Sequence, residues 1–313
     1  MKEPLSIVYD MTKLCPWSCP ICCMGATSER EACQDELPLA HKLALMEEIQ
    51  DLECPVKLDF SGGEILTNPE NLTVIERAAA LLGREWIGVS ASGWHIDGDT
   101  AARLSACCAE CEMTMDTLPC RTYALRPAAY AAAAAKAVPP LRAHGVRIGI
   151  QTVLARSNTN PSNLTELYSW LCENGVDEWS LLRFYPSGRG AAFSDECLSP
   201  DLERWAVRFI QRLDRENPSP RKPSVNFHYT MAGHPKSSSE CRCVRKSIGI
   251  LPNGTVTACF WAVDANTGVV DPKFLLGSLK ESTLKEILDS AAAAYWTAEP
   301  HCCELGVSDL QSA

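Results

Sequence analysis

The sequence lacks the features of a membrane, secreted or nucleic-acid-binding protein. It has no run of 18 uncharged apolar residues, the minimum expected of a transmembrane helix. Its first residues, MKEPLSIVYD, lack a basic region followed by a long apolar run, so no secretory signal is expected. Lys and Arg number 29 against 39 Asp and Glu, a net charge of -10, which argues against a general basic surface for nucleic acid. We therefore expect a cytoplasmic protein with no membrane and no nucleic-acid partner.

Length and composition indicate an ordinary globular protein. The 313 residues suffice for one large domain, or for one large and one small domain. Apolar residues make up 46% and charged residues 22%, so the chain can bury a sizeable core.

Cysteine is abundant, at 17 residues. A disulfide scaffold would normally be short and exported, which this chain is not expected to be. In a reducing compartment, clustered cysteines indicate metal binding or thiol chemistry instead. The clusters lie at positions 15/19/22/23, 107/108/111, 241/243 and 302/303.

Strand-like and helix-like patterns alternate six times between residues 5 and 215. The predicted strands cover 5–10, 56–60, 86–91, 111–116, 146–154 and 179–184. The predicted helices cover 37–52, 70–82, 99–106, 128–137, 161–173 and 200–215. Parallel strands need such crossover connections, so the pattern predicts an α/β fold with helices outside the sheet. Six units are too few for an eight-fold barrel, and we expect a partial (β/α)6 TIM-like barrel.

Five polar motifs lie at the carboxyl ends of predicted strands. They are the cysteine-rich stretch 14–24, SGGE at 61–64, Ser92-Gly93, Asp116 and the polar run 183–189. Loops at the carboxyl ends of parallel strands lie on one face of such a fold. The motifs are therefore expected to meet at one site.

Composition changes between residues 217 and 240, where proline, serine and charged residues accumulate. This change predicts a boundary between a barrel domain, 1–220, and a small C-terminal domain, 221–313. The second domain has its own cysteines and is expected to be α+β.

Cys15, Cys19 and Cys22 have C-x3-C-x2-C spacing in a compact loop. Three such thiolates can bind three irons of a [4Fe-4S] cluster and leave the fourth iron open. The alternative is a zinc site, which usually uses paired C-x2-C motifs and a fourth protein ligand. Cys23, next to Cys22, is poorly placed to be that ligand. These residues alone leave both metals possible.

The motif CPWSCPIC after the first strand, joined to FSGGE after the second, resembles the radical S-adenosylmethionine superfamily. The resemblance covers nearly the whole chain. It implies that Cys15, Cys19 and Cys22 hold the [4Fe-4S] cluster, whose open iron binds the amino and carboxylate groups of S-adenosylmethionine. It also implies reduction by a flavodoxin- or ferredoxin-type electron donor.

The resemblance further implies cofactor contacts at matched positions. Gly62 and Gly63 would let the backbone approach the methionine moiety, because they lack a Cβ atom. Glu64 would accept a hydrogen bond from the ammonium group. The other implied or candidate contacts, to the adenine, ribose or carboxylate, are Ile21, Ser92, Gln151 and Arg183.

The C-terminal segment contains a second cysteine group. Cys243, Gly254 and Cys259 follow a C-x10-G-x4-C pattern, with a predicted hairpin turn at Pro252-Asn253-Gly254. Behind a radical S-adenosylmethionine barrel this resembles the auxiliary-cluster extensions called SPASM and Twitch. The cysteines are too few for the seven-cysteine SPASM pattern, so Twitch and one auxiliary iron-sulfur cluster, [4Fe-4S], are expected. The candidate ligands are Cys241, Cys243, Cys259, Cys302 and Cys303.

Two further cysteines follow strand exits. Cys120 and Cys197 are candidate hydrogen-atom donors to a substrate radical, although a silent thiol is the simpler interpretation. Arg183 or Arg189, in the loop after the sixth strand, is expected to hold a substrate carboxylate.

The resemblance predicts an oxidoreductase-type enzyme that forms a 5'-deoxyadenosyl radical and abstracts hydrogen from its substrate. The first interpretation is a peptide-modifying maturase that crosslinks or epimerises a ribosomally made peptide. The alternative is a small-molecule dehydrogenase or cyclase of secondary metabolism or cofactor synthesis. A zinc-binding protein without enzymatic activity is the third, and it leaves SGGE unexplained.

Overall fold

The computed structural model describes residues 4–228, 230–234, 240–264, 269–298 and 301. The first part of the chain alternates strands and helices. Its elements are β1 (Leu5–Asp10), α1 (Leu39–Gln50), β2 (Val56–Ser61), α2 (Pro69–Leu82), β3 (Ile87–Ala91), α3 (Gly98–Cys107), β4 (Glu110–Thr114), α4 (Tyr130–Ala143), β5 (Arg147–Leu154), α5 (Pro161–Asn174), β6 (Glu178–Arg183) and α6 (Pro200–Glu216). The six predicted strand–helix units are confirmed.

The C-terminal part consists of short elements. They are β7 (Ser224–Phe227), β8 (Ser247–Ile250), β9 (Thr255–Thr257), β10 (Val263–Asp264), β11 (Val269–Val270), β12 (Leu275–Ser278), α7 (Leu284–Leu288) and α8 (Ala291–Ala298). The predicted hairpin turn joins β8 to β9, which pair antiparallel, and Gly254 at the turn has φ +87. Only glycine adopts this backbone conformation without strain.

Ten strands form one sheet in the order β12-β9-β8-β1-β2-β3-β4-β5-β6-β7. The strands from β1 to β7 pair parallel with their neighbours, as a partial barrel requires. The C-terminal hairpin joins the same sheet, because β8 pairs parallel with β1. The division at residue 220 stays a prediction, and the strands after it lie at both edges of the barrel sheet.

The core lies between the sheet and the surrounding helices. Along β2, Val56, Leu58 and Phe60 are buried, whereas Lys57 and Asp59 on the opposite face are half-buried and form an ion pair. This period-two alternation is what a sheet with one apolar face requires. Among the described residues, no helix is long and apolar enough to cross a membrane.

The middle cysteines belong to this core. Cys107, Cys108 and Cys111 are at most 2% exposed and pack in the main apolar cluster. Their predicted structural role is confirmed.

Candidate active site

A cavity of about 440 Å³ lies at the carboxyl ends of the parallel strands. The loops after these strands were expected to meet here. The predicted site residues that line it are Cys15, Cys19, Ile21, Cys22, Gly62, Gly63, Ser92, Gln151 and Arg183. The structure thus brings together candidate residues that are up to 168 positions apart in the sequence, since Cys15 and Arg183 both line it.

Residues 14–27, which we call the cysteine loop, are closed at their base by backbone pairing. Leu14 and Thr27 form a β-bridge, and the Cys15 N–H donates to the Thr27 carbonyl at 2.8 Å. A turn inside the loop joins the Cys22 N–H to the Cys19 carbonyl at 3.2 Å. The loop therefore holds its cysteines on one wall of the cavity.

Burial controls the protonation of these cysteines. Desolvation raises the pKa of the Cys15 thiol to about 12. It also raises the pKa of Cys19, although the nearby Arg126 guanidinium opposes this effect. Both thiols are therefore protonated at neutral pH without metal, and iron binding would release their protons.

The three thiols share one wall of the cavity. Within the described ranges, no three His, Cys, Asp or Glu side chains are arranged to hold one metal ion. Each cysteine of an iron-sulfur cluster binds a different iron, so such ligands need to share a cavity wall rather than one coordination sphere. Cys15, Cys19 and Cys22 meet this requirement.

The two glycines of SGGE allow close contact with the cysteine loop. A Cβ atom on Gly63 would lie 2.4 Å from the Leu14 carbonyl oxygen, and one on Gly62 would lie 2.7 Å from the Thr12 oxygen. The Gly63 N–H donates to the Thr12 carbonyl at 2.7 Å, and the Glu64 N–H donates to the Leu14 carbonyl at 2.8 Å. Glycine is therefore required for backbone packing here, in addition to any ligand approach.

Glu64 lies behind the cavity wall and is wholly buried. Its carboxylate accepts hydrogen bonds from the Ser92 N–H at 2.8 Å and from the Ser92 hydroxyl. The Ser92 oxygen in turn accepts a hydrogen bond from Trp17 Nε1 at 2.9 Å. Ser92, predicted as a cofactor contact, thus also connects SGGE to the cysteine loop.

Gln151 and Arg183 line the cavity but already have protein partners. The Gln151 amide donates to the Glu112 carboxylate. The Arg183 guanidinium lies 3.2 Å from the buried Glu203 carboxylate and 5.3 Å from the centre of the Tyr185 ring. Any ligand contact by these side chains would add to existing bonds.

Arg126 is a site residue that no sequence motif indicated. Its Nε atom lies 2.6 Å from the buried Asp116 carboxylate, and its guanidinium lies 5.0 Å from the centre of the Tyr130 ring. Arg126 and Tyr130 both line the cavity. Asp116, at a predicted strand exit, was the available signal, but its partner lies in a loop without a recognisable motif.

Asp10, the last residue of β1, is a second site residue that no sequence motif indicated. Its side chain lines the cavity although the residue is only 3% exposed. Burial raises the pKa of this carboxyl to about 7, and a hydrogen bond with Ser61 partly opposes the shift. Asp10 can therefore gain or lose a proton near neutral pH.

Cys120 and Cys197 do not line the cavity. Cys120 is exposed, and Cys197 packs beside Ile21 and Phe184. The hydrogen-donor role given to these thiols stays a prediction, and the geometry offers it no support.

Arg183 or Arg189 was expected to hold a substrate carboxylate; this stays a prediction, and of the two arginines only Arg183 lines the cavity. The Arg189 guanidinium donates to the backbone carbonyls of Cys19 and Ala26, at 2.9 and 2.7 Å. The residue does not line the cavity, because its side chain is directed to the cysteine loop.

The C-terminal cysteines lie together. The Cys243 thiol is within hydrogen-bond contact of Cys241 and Cys259, and both contacts raise the Cys243 pKa. The Cys241 N–H donates to the carbonyl of His301 at 2.6 Å. Cys302 and Cys303, the remaining predicted ligands, lie outside the described residues.

The C-terminal segment also supplies part of the cavity wall. Phe260 and Trp261, directly after Cys259, line the cavity. The Trp261 ring stacks on Tyr185 from the β6 loop, with centroids 4.5 Å apart and planes at 27°. The cysteine loop and the segment that follows Cys259 therefore both line the cavity.

Comparisons with known proteins agree with this arrangement. Residues 241–304 match the family model of the SPASM domain, an iron-sulfur cluster-binding domain. The PqqA peptide cyclase of Gluconobacter oxydans is 33% identical over 78 residues, which cover 25% of this chain and 21% of that protein.

Solved structures share the fold. Streptococcus suis SuiB bound to its precursor peptide SuiA superposes with a TM-score of 0.74 at 14% identity, over 93% of this chain and 66% of SuiB. The anSMEcpe structure with bound AdoMet superposes with a TM-score of 0.68 at 15% identity, over 94% of this chain and 82% of that protein. This chain thus spans less than two thirds of SuiB and about a fifth of the PqqA cyclase.

The SPASM match and the shared fold confirm the resemblance to radical S-adenosylmethionine proteins with a C-terminal auxiliary-cluster domain. The matching domain is SPASM; the single auxiliary cluster expected from the cysteine count stays a prediction.

Proposed function

We propose that this chain, which joins the radical S-adenosylmethionine fold to a SPASM domain, is an enzyme that modifies a ribosomally made peptide by hydrogen abstraction. The observation that carries the proposal is the shared cavity. Cys15, Cys19 and Cys22 line one wall, and residues following Cys259 line another.

The cysteine loop would hold the [4Fe-4S] cluster. When bound, this cluster supplies one electron that cleaves S-adenosylmethionine to methionine and a 5'-deoxyadenosyl radical, which abstracts hydrogen from the substrate. The protein contributes the low exposure of Cys15 and Cys19, 8% and 5%, which would shield these two ligands from water.

S-adenosylmethionine would bind along the strand ends next to the cysteine loop. Gly62 and Gly63 lie on this wall, and Ile21 offers an apolar surface that is backed by Phe184. Ser92, Gln151 and Arg183 supply polar groups on the remaining strand ends. Glu64 would bind the ammonium group and keep its hydrogen bonds to Ser92, because a carboxylate has two acceptor oxygens.

Cys241, Cys243 and Cys259 would hold the auxiliary cluster, with Cys302 or Cys303 as further ligands. A cluster here would lie next to the wall formed by Phe260 and Trp261. A cluster held by these cysteines would supply a one-electron acceptor, so a substrate that loses a hydrogen atom, then an electron and a proton, would be oxidised by two electrons in total, as a crosslink requires. The reducing electron would come from a flavodoxin- or ferredoxin-type donor.

A peptide substrate is supported by two relatives. SuiB was solved with a precursor peptide, and the PqqA cyclase is named for a peptide substrate. The cavity offers a peptide both an aromatic wall at Tyr185 and Trp261 and polar side chains at Arg126 and Asp10.

Iron counting tests the two cluster sites. We expect about eight irons per chain after anaerobic reconstitution, and about four in Cys15→Ala/Cys19→Ala/Cys22→Ala. A fall from about four to none would mean that the SPASM domain holds no iron cluster. Zinc in place of iron in the wild type would refute the radical mechanism.

Peptide modification is tested with short peptides encoded next to the gene. The reduced enzyme should form 5'-deoxyadenosine and a peptide that has lost a hydrogen pair or has inverted a residue. Modification of a small molecule, with no peptide turned over, would favour the dehydrogenase alternative.

Glu64→Gln separates cofactor binding from cluster binding. The amide removes the charge that pairs with an ammonium group, so S-adenosylmethionine affinity should fall roughly tenfold while iron content stays unchanged. Glu47→Gln, an exposed carboxylate paired with Arg77, is the control and should change neither quantity. Iron loss in Glu64→Gln would show that Glu64 acts on the cysteine loop through Ser92 instead.

A further inference from the structure

Arg189 lies in the loop after β6 and makes three hydrogen bonds to the cysteine loop. Its Nε donates to the Cys19 carbonyl at 2.9 Å, and its Nη1 donates to the Ala26 carbonyl at 2.7 Å. Its backbone N–H donates to the Cys22 carbonyl at 3.1 Å. One residue thus contacts two of the three proposed cluster ligands and the end of their loop.

The two glycines beside Arg189 explain how it reaches this position. Gly188 has φ +57, a left-handed conformation that redirects the chain before Arg189. A Cβ atom on Gly190 would lie 3.3 Å from the Phe184 ring, so a side chain there would press on the residue that backs Ile21. The sequence GRG therefore fixes the backbone on both sides of the arginine.

The cysteine loop makes few bonds of its own between its base and Arg189. Its internal contacts include the turn from Cys22 to Cys19, a weak bond from the Ala26 N–H to Cys22 Sγ at 3.4 Å and a contact of the Cys15 thiol with the Trp17 backbone. On its other side, Trp17 bonds to Ser92. Charged hydrogen bonds to backbone carbonyls are stronger than neutral ones, so Arg189 supports the backbone of the loop, whereas Arg126 contacts the Cys19 thiol.

We propose that Arg189 is a positioning residue that holds the cysteine loop in its cluster-binding conformation. This role rests on the proposed function only in that Cys15, Cys19 and Cys22 bind a cluster. The loop after β6, which also contributes Arg183 and Tyr185 to the cavity wall, is thereby joined to the cluster loop.

Arg189→Met tests the proposal, because it keeps an unbranched side chain and removes the donors. In the metal-free protein, amide hydrogen exchange in residues 15–26 should become at least about tenfold faster, while helix α3 stays unchanged. In the reconstituted protein, a chelator should remove iron from the front cluster at least about tenfold faster. Its electron paramagnetic resonance signal should also respond less to S-adenosylmethionine.

Arg156→Met is the matched control. Arg156 pairs at 3.1 Å with Asp195, which lies in the same loop as Arg189, and the Arg156 side chain is 60% exposed. This variant should match the wild type in exchange and iron retention. Arg189→Lys keeps the charge and a donor, and should restore part of both properties.

The measurements separate the proposal from the proposed function. Unchanged exchange in residues 15–26 would overturn the proposal whatever the protein binds. Faster exchange with unchanged iron loss and an unchanged signal would also overturn it, while leaving the cysteine-to-alanine result as the test of the function. If Arg189→Met does not fold, Arg189→Gln, which is too short and too poor in donors to keep both bonds, replaces it, and wild-type exchange and iron loss in that variant would overturn the proposal.

Discussion

Asp10 places a titrating acid at the cavity wall. The carboxyl is almost completely buried, and desolvation raises its pKa from 3.8 to about 7. The folded protein therefore keeps a proton on Asp10 that the unfolded chain releases between about pH 4 and pH 7. Stability must fall as pH rises through this interval, because the unfolded state binds fewer protons there.

Replacement of Asp10 by asparagine should remove this pH dependence. The rise of the Asp10 pKa from 3.8 to about 7 lowers the free energy of unfolding by about 4 kcal/mol at pH 8 and by almost nothing near pH 4. Asp10→Asn should thus be more stable than the wild type at pH 8 and equal to it, or slightly less stable, near pH 4. Urea unfolding at both pH values measures the difference. An equal change in the free energy of unfolding at both pH values would show that Asp10 ionises normally in the folded protein.

Residues recognised by spacing could be predicted from the sequence, and residues recognised by contact could not. Cys15, Cys19, Gly62 and Gly63 stand at fixed intervals after strands, and the cavity contains all four. Arg189 bonds to a backbone carbonyl 170 positions away. Every residue type has a backbone carbonyl, so the sequence does not indicate which carbonyl Arg189 contacts.

Among the elements, β1 controls the geometry of the site. It pairs with β2 on one side and β8 on the other, and it leads directly into the cysteine loop. The buried Lys42 amine donates to the Met11 carbonyl at the end of β1, at 2.9 Å. The strand's end is thereby held by backbone pairing and by helix α1, which explains why the loop starts from a fixed point.

Helix α4 is longer than its sequence indicates. The alanine-rich run predicts a helix over 128–137, whereas α4 continues to Ala143 through Pro139 and Pro140. Proline removes a helical N–H and clashes with the carbonyl four residues earlier, so a sequence-based boundary before it is reasonable. The buried Leu141 in the last turn packs in the main core, and this packing outweighs the proline penalty.

Relief of one proline should stabilise the protein. Pro139 is exposed, so Pro139→Ala removes the clash without disturbing the core. The gain is expected to be about 1–2 kcal/mol, because the less restricted unfolded chain offsets part of it. Thermal unfolding measures it as a higher Tm. Pro200→Ala, in the first turn of α6, is the control and should leave the Tm unchanged or lower it. An unchanged or lower Tm in Pro139→Ala would mean that the helix has no strain at this proline.

Across the whole molecule, the barrel and the C-terminal segment share one sheet and one core. Ile248 and Ile250 of β8 are at most 2% exposed and belong to the same apolar cluster as Ile7 and Tyr9 of β1. The Glu48 carboxylate on α1 accepts the Leu284 N–H of α7 at 2.7 Å. The alternation of strands and helices was enough to predict the barrel. The parallel pairing of β8 with β1 could not be predicted, because four-residue strands carry no information about distant neighbours.

This shared sheet predicts that the barrel is not stable without the residues after 240. A chain ending at Glu240 loses β8, β9 and β12, which exposes the edge of β1 and the apolar face it packs against. An open, apolar sheet edge pairs with other chains, so the shortened protein should aggregate or bind a hydrophobic dye. The full chain should unfold in one transition. Size-exclusion chromatography and thermal unfolding compare the two. A monomeric shortened chain that unfolds cooperatively and binds about four irons would instead show an independent barrel domain.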